Sequence, residues 1–117
     1  MFHADGDLRQ RTFDFARRVM RLVSALPNGR AAKLFADQLL RSGTSIGANY
    51  REAQRSRSDA ELRSKLGDCL READETLFWI ELLEAEQLVP SSRLSKIKDE
   101  NQQLIAIFVT LLRRKKR

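Results

Sequence analysis

The chain has 117 residues, of which 42% are hydrophobic and 32% charged, and it carries a net charge of +6. That length suits one domain over residues 1–117 with one core, and two prolines and five glycines suit a helical protein. No apolar run is long enough to span a bilayer, and the start Met1-Phe2-His3-Ala4-Asp5 lacks the basic and apolar regions of a signal peptide, so a cytoplasmic protein is expected.

Residues 1 to 7 carry no pattern and are expected to fray. From Leu8 a seven-residue repeat runs through Thr12, Phe15, Val19, Leu22 and Leu26, widened by Ala16, Met20 and Val23, which predicts a first helix over 8–26. Pro27 and Asn28-Gly29 stop it. Arg9, Arg17, Arg18 and Arg21 lie off the stripe, where solvation accounts for them. A second helix is predicted over 30–56. Within it Leu39, Gly43, Ile46, Tyr50 and Ala53 share one face. Gly43 and Gly47 each weaken a helix by about 1 kcal/mol relative to Ala, so a close approach of another backbone is expected there, from a neighbouring helix or another subunit.

Ser58 and Glu61 have the spacing of a capping box, which starts a third helix, 59–87. Leu62, Leu66, Cys69, Ala73, Leu77, Ile80 and Leu83 continue one face, with Phe78, Trp79 and Leu82 beside it. A face that wide must meet two neighbours in a bundle, or one neighbour and another subunit. Pro90 ends this segment, and a serine at 91 or 92 can cap a fourth helix over 92–114. Leu94, Ile97, Asn101, Leu104, Phe108 and Leu111 form its stripe. Asn101 at a core-type position either fixes register or lies half exposed near the bundle end. Four amphipathic segments with short links predict an all-α, up-down-up-down antiparallel four-helix bundle.

The string from Gln38 to Leu83 also carries a family resemblance. Ser45, Ile46, Ala48, Asn49, Glu52, Leu70, Glu72 and Glu75 stand where the small bacterial proteins encoded within 23S rRNA intervening sequences have their recurrent residues. That family includes the accessory variability protein of diversity-generating retroelements. The resemblance spans roughly residues 8 to 112 and departs at Tyr50-Arg51-Glu52-Ala53 and at Asp68-Cys69. It implies an up-and-down bundle assembled as a homopentamer, and for the retroelement branch a partnership with a reverse transcriptase and its template RNA.

Charge is uneven: +2 over 1–29, +4 over 30–58, −6 over 59–89 and +6 over 90–117. The acidic third helix can pair with basic neighbours in its own bundle or in another subunit, while the remaining basic surface can meet a polyanion, RNA or DNA. The candidates for that contact are Arg41, Arg51, Arg55 and Arg57, with the terminal run Arg113, Arg114, Lys115, Lys116 and Arg117. The candidates for helix packing or subunit contact are Gly43, Ile46, Gly47, Tyr50, Phe78, Trp79 and Leu82.

No enzyme is expected. The one histidine, His3, precedes every predicted helix, which removes the Glu-x-x-His pattern of a di-iron bundle, and no catalytic triad, phosphate-binding loop or zinc spacing occurs. No cofactor, metal or small-molecule substrate is therefore expected. In the acidic cluster of Glu72, Asp74 and Glu75, Glu72 and Glu75 read as structural or inter-subunit charge partners, and Cys69 reads as a small buried hydrophobe. Two function classes follow: an oligomer that binds nucleic acid or a nucleic-acid-handling protein, and an interaction protein whose basic surplus serves solubility.

Overall fold

A computed structural model describes residues 4–114, with side chains from Asp7 onward. Four helices follow in order: α1 (Ala4–Ser24), α2 (Arg30–Gln54), α3 (Asp59–Ala85) and α4 (Ser91–Arg113). Each packs on the next, and α4 closes against α1 by the thinnest contact of the four, giving an up-down-up-down bundle 49 Å long. The apolar stripes become its core. Phe15, Val19, Leu39, Ile46, Ile80, Leu83, Leu94, Leu104 and Phe108 lose all their exposure there.

The helix ends differ from expectation for local reasons. α1 begins at Ala4, not Leu8; Asp7 in its first turn favours the positive end of the helix dipole. Its far end tightens into three-residue bonds from Ala25 to Leu22 and from Leu26 to Val23, so regular helix stops before Pro27. α2 ends the same way, Arg55 and Ser56 donating to Glu52 and Ala53. At the start of α3 the Ser58 hydroxyl accepts from the Glu61 N–H at 3.0 Å, and the Glu61 carboxylate accepts from the Arg57 N–H at 3.1 Å, a capping box shifted by one residue on its return arm. No serine caps α4. Pro90 holds that position, and its carbonyl accepts from Arg93.

α3 stops at Ala85 because Gln87 turns left-handed, with φ 55°. Leu88 then donates back to the Leu83 carbonyl and Gln87 to that of Glu84, the two bonds of a Schellman cap. Glycine is the usual residue there, since a side chain at positive φ costs about 1 kcal/mol. Gln87→Gly is therefore expected to raise stability by up to about 1 kcal/mol, less the entropy gained by the unfolded chain. Thermal or urea unfolding checks it, and a loss of stability would show that the Gln87 side chain contributes more than its backbone costs.

Thr76, not Leu77, takes the inner position of α3. Its hydroxyl lies 2.9 Å from that of Ser42 on α2, and each also reaches the carbonyl four residues earlier in its own helix, Glu72 and Gln38. Local carbonyls thus satisfy a polar pair inside the core. Asn101 is fully buried, which removes the half-exposed alternative. Its amide donates to the Ala73 carbonyl at 3.0 Å, while its own oxygen has no partner. One satisfied and one unsatisfied group fit a register-fixing residue that costs stability.

The glycine face meets α1 of the same chain. A Cβ on Gly47 would sit 3.2 Å from the Thr12 hydroxyl and 3.3 Å from its backbone oxygen, which is the expected close backbone approach. At Gly43 the neighbour is a side chain instead: Val19 Cγ2 would lie 2.7 Å from the new Cβ. Ile46 and Tyr50 are likewise consumed inside this bundle, Tyr50 tilting against Phe108 at 6.1 Å between ring centres.

Candidate nucleic-acid interface

Up-down topology decides which basic residues meet. The α2–α3 connection and the C-terminus of α4 lie at the same end of the bundle, so Arg55 and Arg57 share that end with Arg113 and Arg114. All four are exposed. Two sequence features more than fifty residues apart become one surface. Lys115, Lys116 and Arg117 continue the chain from there and lie outside the described residues.

Beneath these arginines is an open cavity of about 670 Å³. Leu62, Leu66 and Leu111 contribute its apolar wall, with Arg57, Arg63 and Arg114 at its rim. Sequence reasoning misses Arg63 because it belongs to the acidic third segment. It donates to the Leu112 carbonyl, and at 3.2 Å to that of Arg114. A cation bonded to the last carbonyls of α4 satisfies groups the helix leaves unpaired and faces the negative end of its dipole. Arg63 therefore fixes where α4 delivers its basic terminus.

Of the acidic groups at this end, Asp7 at the start of α1 is exposed and three others are engaged. Glu52 holds Lys65 at 2.6 Å, and Glu61 is committed to its cap. Asp59 also has a partner, so the surplus at the end is positive.

Two candidates lie elsewhere. Arg51 places its guanidinium over the Phe13 ring, 5.3 Å from the centroid, on the seam between α1 and α2. Arg41 points to α3, where it binds Glu75 and, at 3.2 Å, Glu72. These contacts hold the Glu75 carboxyl below its usual range, chiefly through the hydrogen bond from Arg41, opposed by desolvation. A lowered carboxylate stabilises the fold above its unfolded-state value, and that contribution disappears as pH falls through the folded one. With Arg41 about half exposed the gain is small. Arg41→Gln is expected to cost under about 1 kcal/mol of stability and to leave nucleic-acid affinity unchanged. A titration with RNA checks this, and weakened binding would return Arg41 to the contact surface.

Of the packing candidates, Phe78 is 56% exposed on α3, with Trp79 packed edge-on against it and tilted against Phe35. Leu82 is half-buried. Cys69 is buried, its thiol donating to the Ile46 carbonyl at 3.6 Å, and burial pushes its pKa up to about 12, so it is an unreactive core residue. Among the described residues no cluster of His, Cys, Asp and Glu could hold a metal ion, and no helix is long and apolar enough to cross a membrane.

The model describing the 23S rRNA-intervening sequence protein matches residues 4–110, all four helices. The chain belongs to that family. A solved structure of a protein of unknown function from the S23 ribosomal protein family of Bacteroides thetaiotaomicron superposes with a TM-score of 0.85 at 32% identity, covering 91% of this chain and 98% of that one. No curated protein matches the chain. Neither the description of the 23S rRNA-intervening sequence protein family nor that of its solved relative names an enzymatic activity. The family match ends at residue 110, so the arginines and lysines from 113 onward follow it.

Proposed function

We propose that this member of the 23S rRNA-intervening sequence protein family is a non-enzymatic, homo-oligomeric bundle that binds nucleic acid, RNA in the first place, through its basic end. The observation carrying this reading is the convergence of Arg55, Arg57, Arg113 and Arg114 at one end, with three further cations following in the chain. Phosphates are the partner that such a surface suits. Base reading is minor, because Tyr50, Phe15, Phe35 and Phe108 are in the core, while of the exposed rings Phe13 lies under Arg51 and Phe78 stands toward the opposite end of α3 from the basic end.

Assembly rests on apolar side chains left outside this core. Phe13, Met20 and Leu40 are 46%, 55% and 38% exposed, and Leu34 and Phe78 are large apolar residues open to solvent as well. Burying them against further copies gives an oligomer, five being the number that the family resemblance implies. In the retroelement form the oligomer would hold a reverse transcriptase with its RNA, and a neighbouring reverse transcriptase gene with a variable repeat would support that form.

Titration of structured RNA and duplex DNA at two salt concentrations, with light scattering for oligomer size, tests the reading. Both polymers should bind, losing about 0.7 to 0.9 of a log unit of affinity per log unit of salt for each phosphate neutralised. An oligomer that binds neither polymer at low salt would make the basic surplus a solubility device and favour a protein partner at the apolar faces.

A further inference from the structure

The thin contact between α1 and α4 leaves a groove of about 250 Å³ near the end of the bundle opposite Arg55 and Arg114. Leu22 and Ile97 line its floor, and Arg18, Arg21, Arg93 and Lys96 stand around it. We propose that this groove is a second anion site, which takes adjacent phosphates of a phosphate chain, either a nucleic-acid backbone or a free polyphosphate.

Contrast along one seam carries the inference. Lower down, α1 and α4 close on each other through Arg11 and Glu100 at 2.7 Å, with Gln103 joining the same guanidinium at 3.0 Å. Lys98, next to the groove in sequence, turns to α3 and pairs with Glu84 at 2.9 Å. The four cations of the groove are exceptions: none makes a side-chain hydrogen bond or ion pair among the described residues. The nearest acids along their own helices are Asp14 and Asp99, and these accept from Gln10 and Gln103 instead.

Four like charges around an apolar floor repel one another, and the floor reduces the screening that bulk water would supply. An anion with closely spaced charges relieves that repulsion at several points together. Three arginines add planar forks suited to phosphate oxygens. Spread carboxylates on a peptide match this less well, because each presents one charge at the end of its own flexible side chain.

The nucleic-acid arm of this proposal rests on the reading above, whereas the polyphosphate arm does not. The test follows backbone amide resonances of the full chain during titration with tripolyphosphate, with a short single-stranded RNA, and with polyglutamate. A variant with R18Q, R21Q, R93Q and K96Q serves as the comparison; three of these positions are exposed and Arg18 is half-buried, so folding is checked by its unfolding curve. Tripolyphosphate should shift amides around residues 18–25 and 93–97 and bind the variant more weakly by roughly tenfold or more. The variant's RNA affinity should depend less on salt, its slope falling by about 0.7 for each phosphate that the groove no longer neutralises.

Groove amides that stay silent with tripolyphosphate, or a polyglutamate response as strong, would overturn the site. If the parent binds RNA and the variant matches it in affinity and slope, the groove holds no nucleic acid while the basic end keeps its role. Tripolyphosphate binding without any RNA binding would make the groove a site for free polyphosphate and defeat the nucleic-acid reading instead.

Discussion

Gly43→Leu should lower the stability of the bundle by about 3 kcal/mol or more, the largest single-residue loss we expect on the glycine face. A Cβ alone would sit 2.7 and 2.9 Å from the two methyl carbons of Val19, which is fully buried. Val19 is β-branched on a helix, where one χ1 rotamer dominates, so it cannot swing aside cheaply. Against this, any residue other than proline gains up to about 1 kcal/mol of helix propensity over glycine. For Gly43→Ala the two effects should leave a net loss of about 1 kcal/mol. The cause can be isolated by a double-mutant cycle, because Val19→Ala removes the clashing methyls, and Gly43→Ala should then be neutral or stabilising in that background. Gly67 supplies the internal control: nothing lies within 4 Å of its missing Cβ, so Gly67→Ala should add about 1 kcal/mol. Equal melting temperatures for Gly43→Ala and Gly67→Ala would contradict the close contact.

Neutralising the basic end should weaken RNA binding at low salt by roughly a hundredfold or more, beyond one subunit's share, because contacts repeated through an oligomer combine. The variant keeps the full chain and carries R55Q, R57Q, R113Q, R114Q, K115Q, K116Q and R117Q. Substitution is preferable to deletion at 113 and 114, since Arg63 uses the carbonyls of Leu112 and Arg114 and their removal would fray α4. Unchanged light scattering and melting temperature would show that only charge was removed. Affinity within a fewfold of the parent would place the contact elsewhere on the molecule.

Much of the fold could be read directly from the chain. Heptad stripes named most of the residues that lose their exposure, and Ser58 with Glu61 marked the start of α3, because local spacing alone sets a helical face and a cap. Thr76 was hidden since a hydroxyl looks polar until Ser42 and the Glu72 carbonyl are beside it. The left-handed turn at Gln87 had no glycine to announce it. At Gly43 the need for space was legible but not its source, which is a side chain on a different helix.

The candidate interface was legible only in part, because charge partners depend on tertiary placement. Arg41 resembled its neighbours on α2 until α3 brought Glu72 and Glu75 to it. Arg18 and Arg21 passed as solvated helix surface, since the residues that share their groove lie some seventy positions later. In contrast, Arg55 and Arg57 stand out in the sequence itself, and the topology that joins them to Arg113 follows from short connections alone.

The most direct measurement is a cross-linking map of bound RNA. RNA carrying photoreactive uridines would be irradiated on the intact protein and the attached peptides identified. Attachment is expected at the α2–α3 connection and at the terminal stretch around Arg113 and Arg114, fading as salt is raised. Attachment confined to segments around the exposed Phe13, Met20 and Leu40, with the basic end untouched at low salt, would contradict binding through that end.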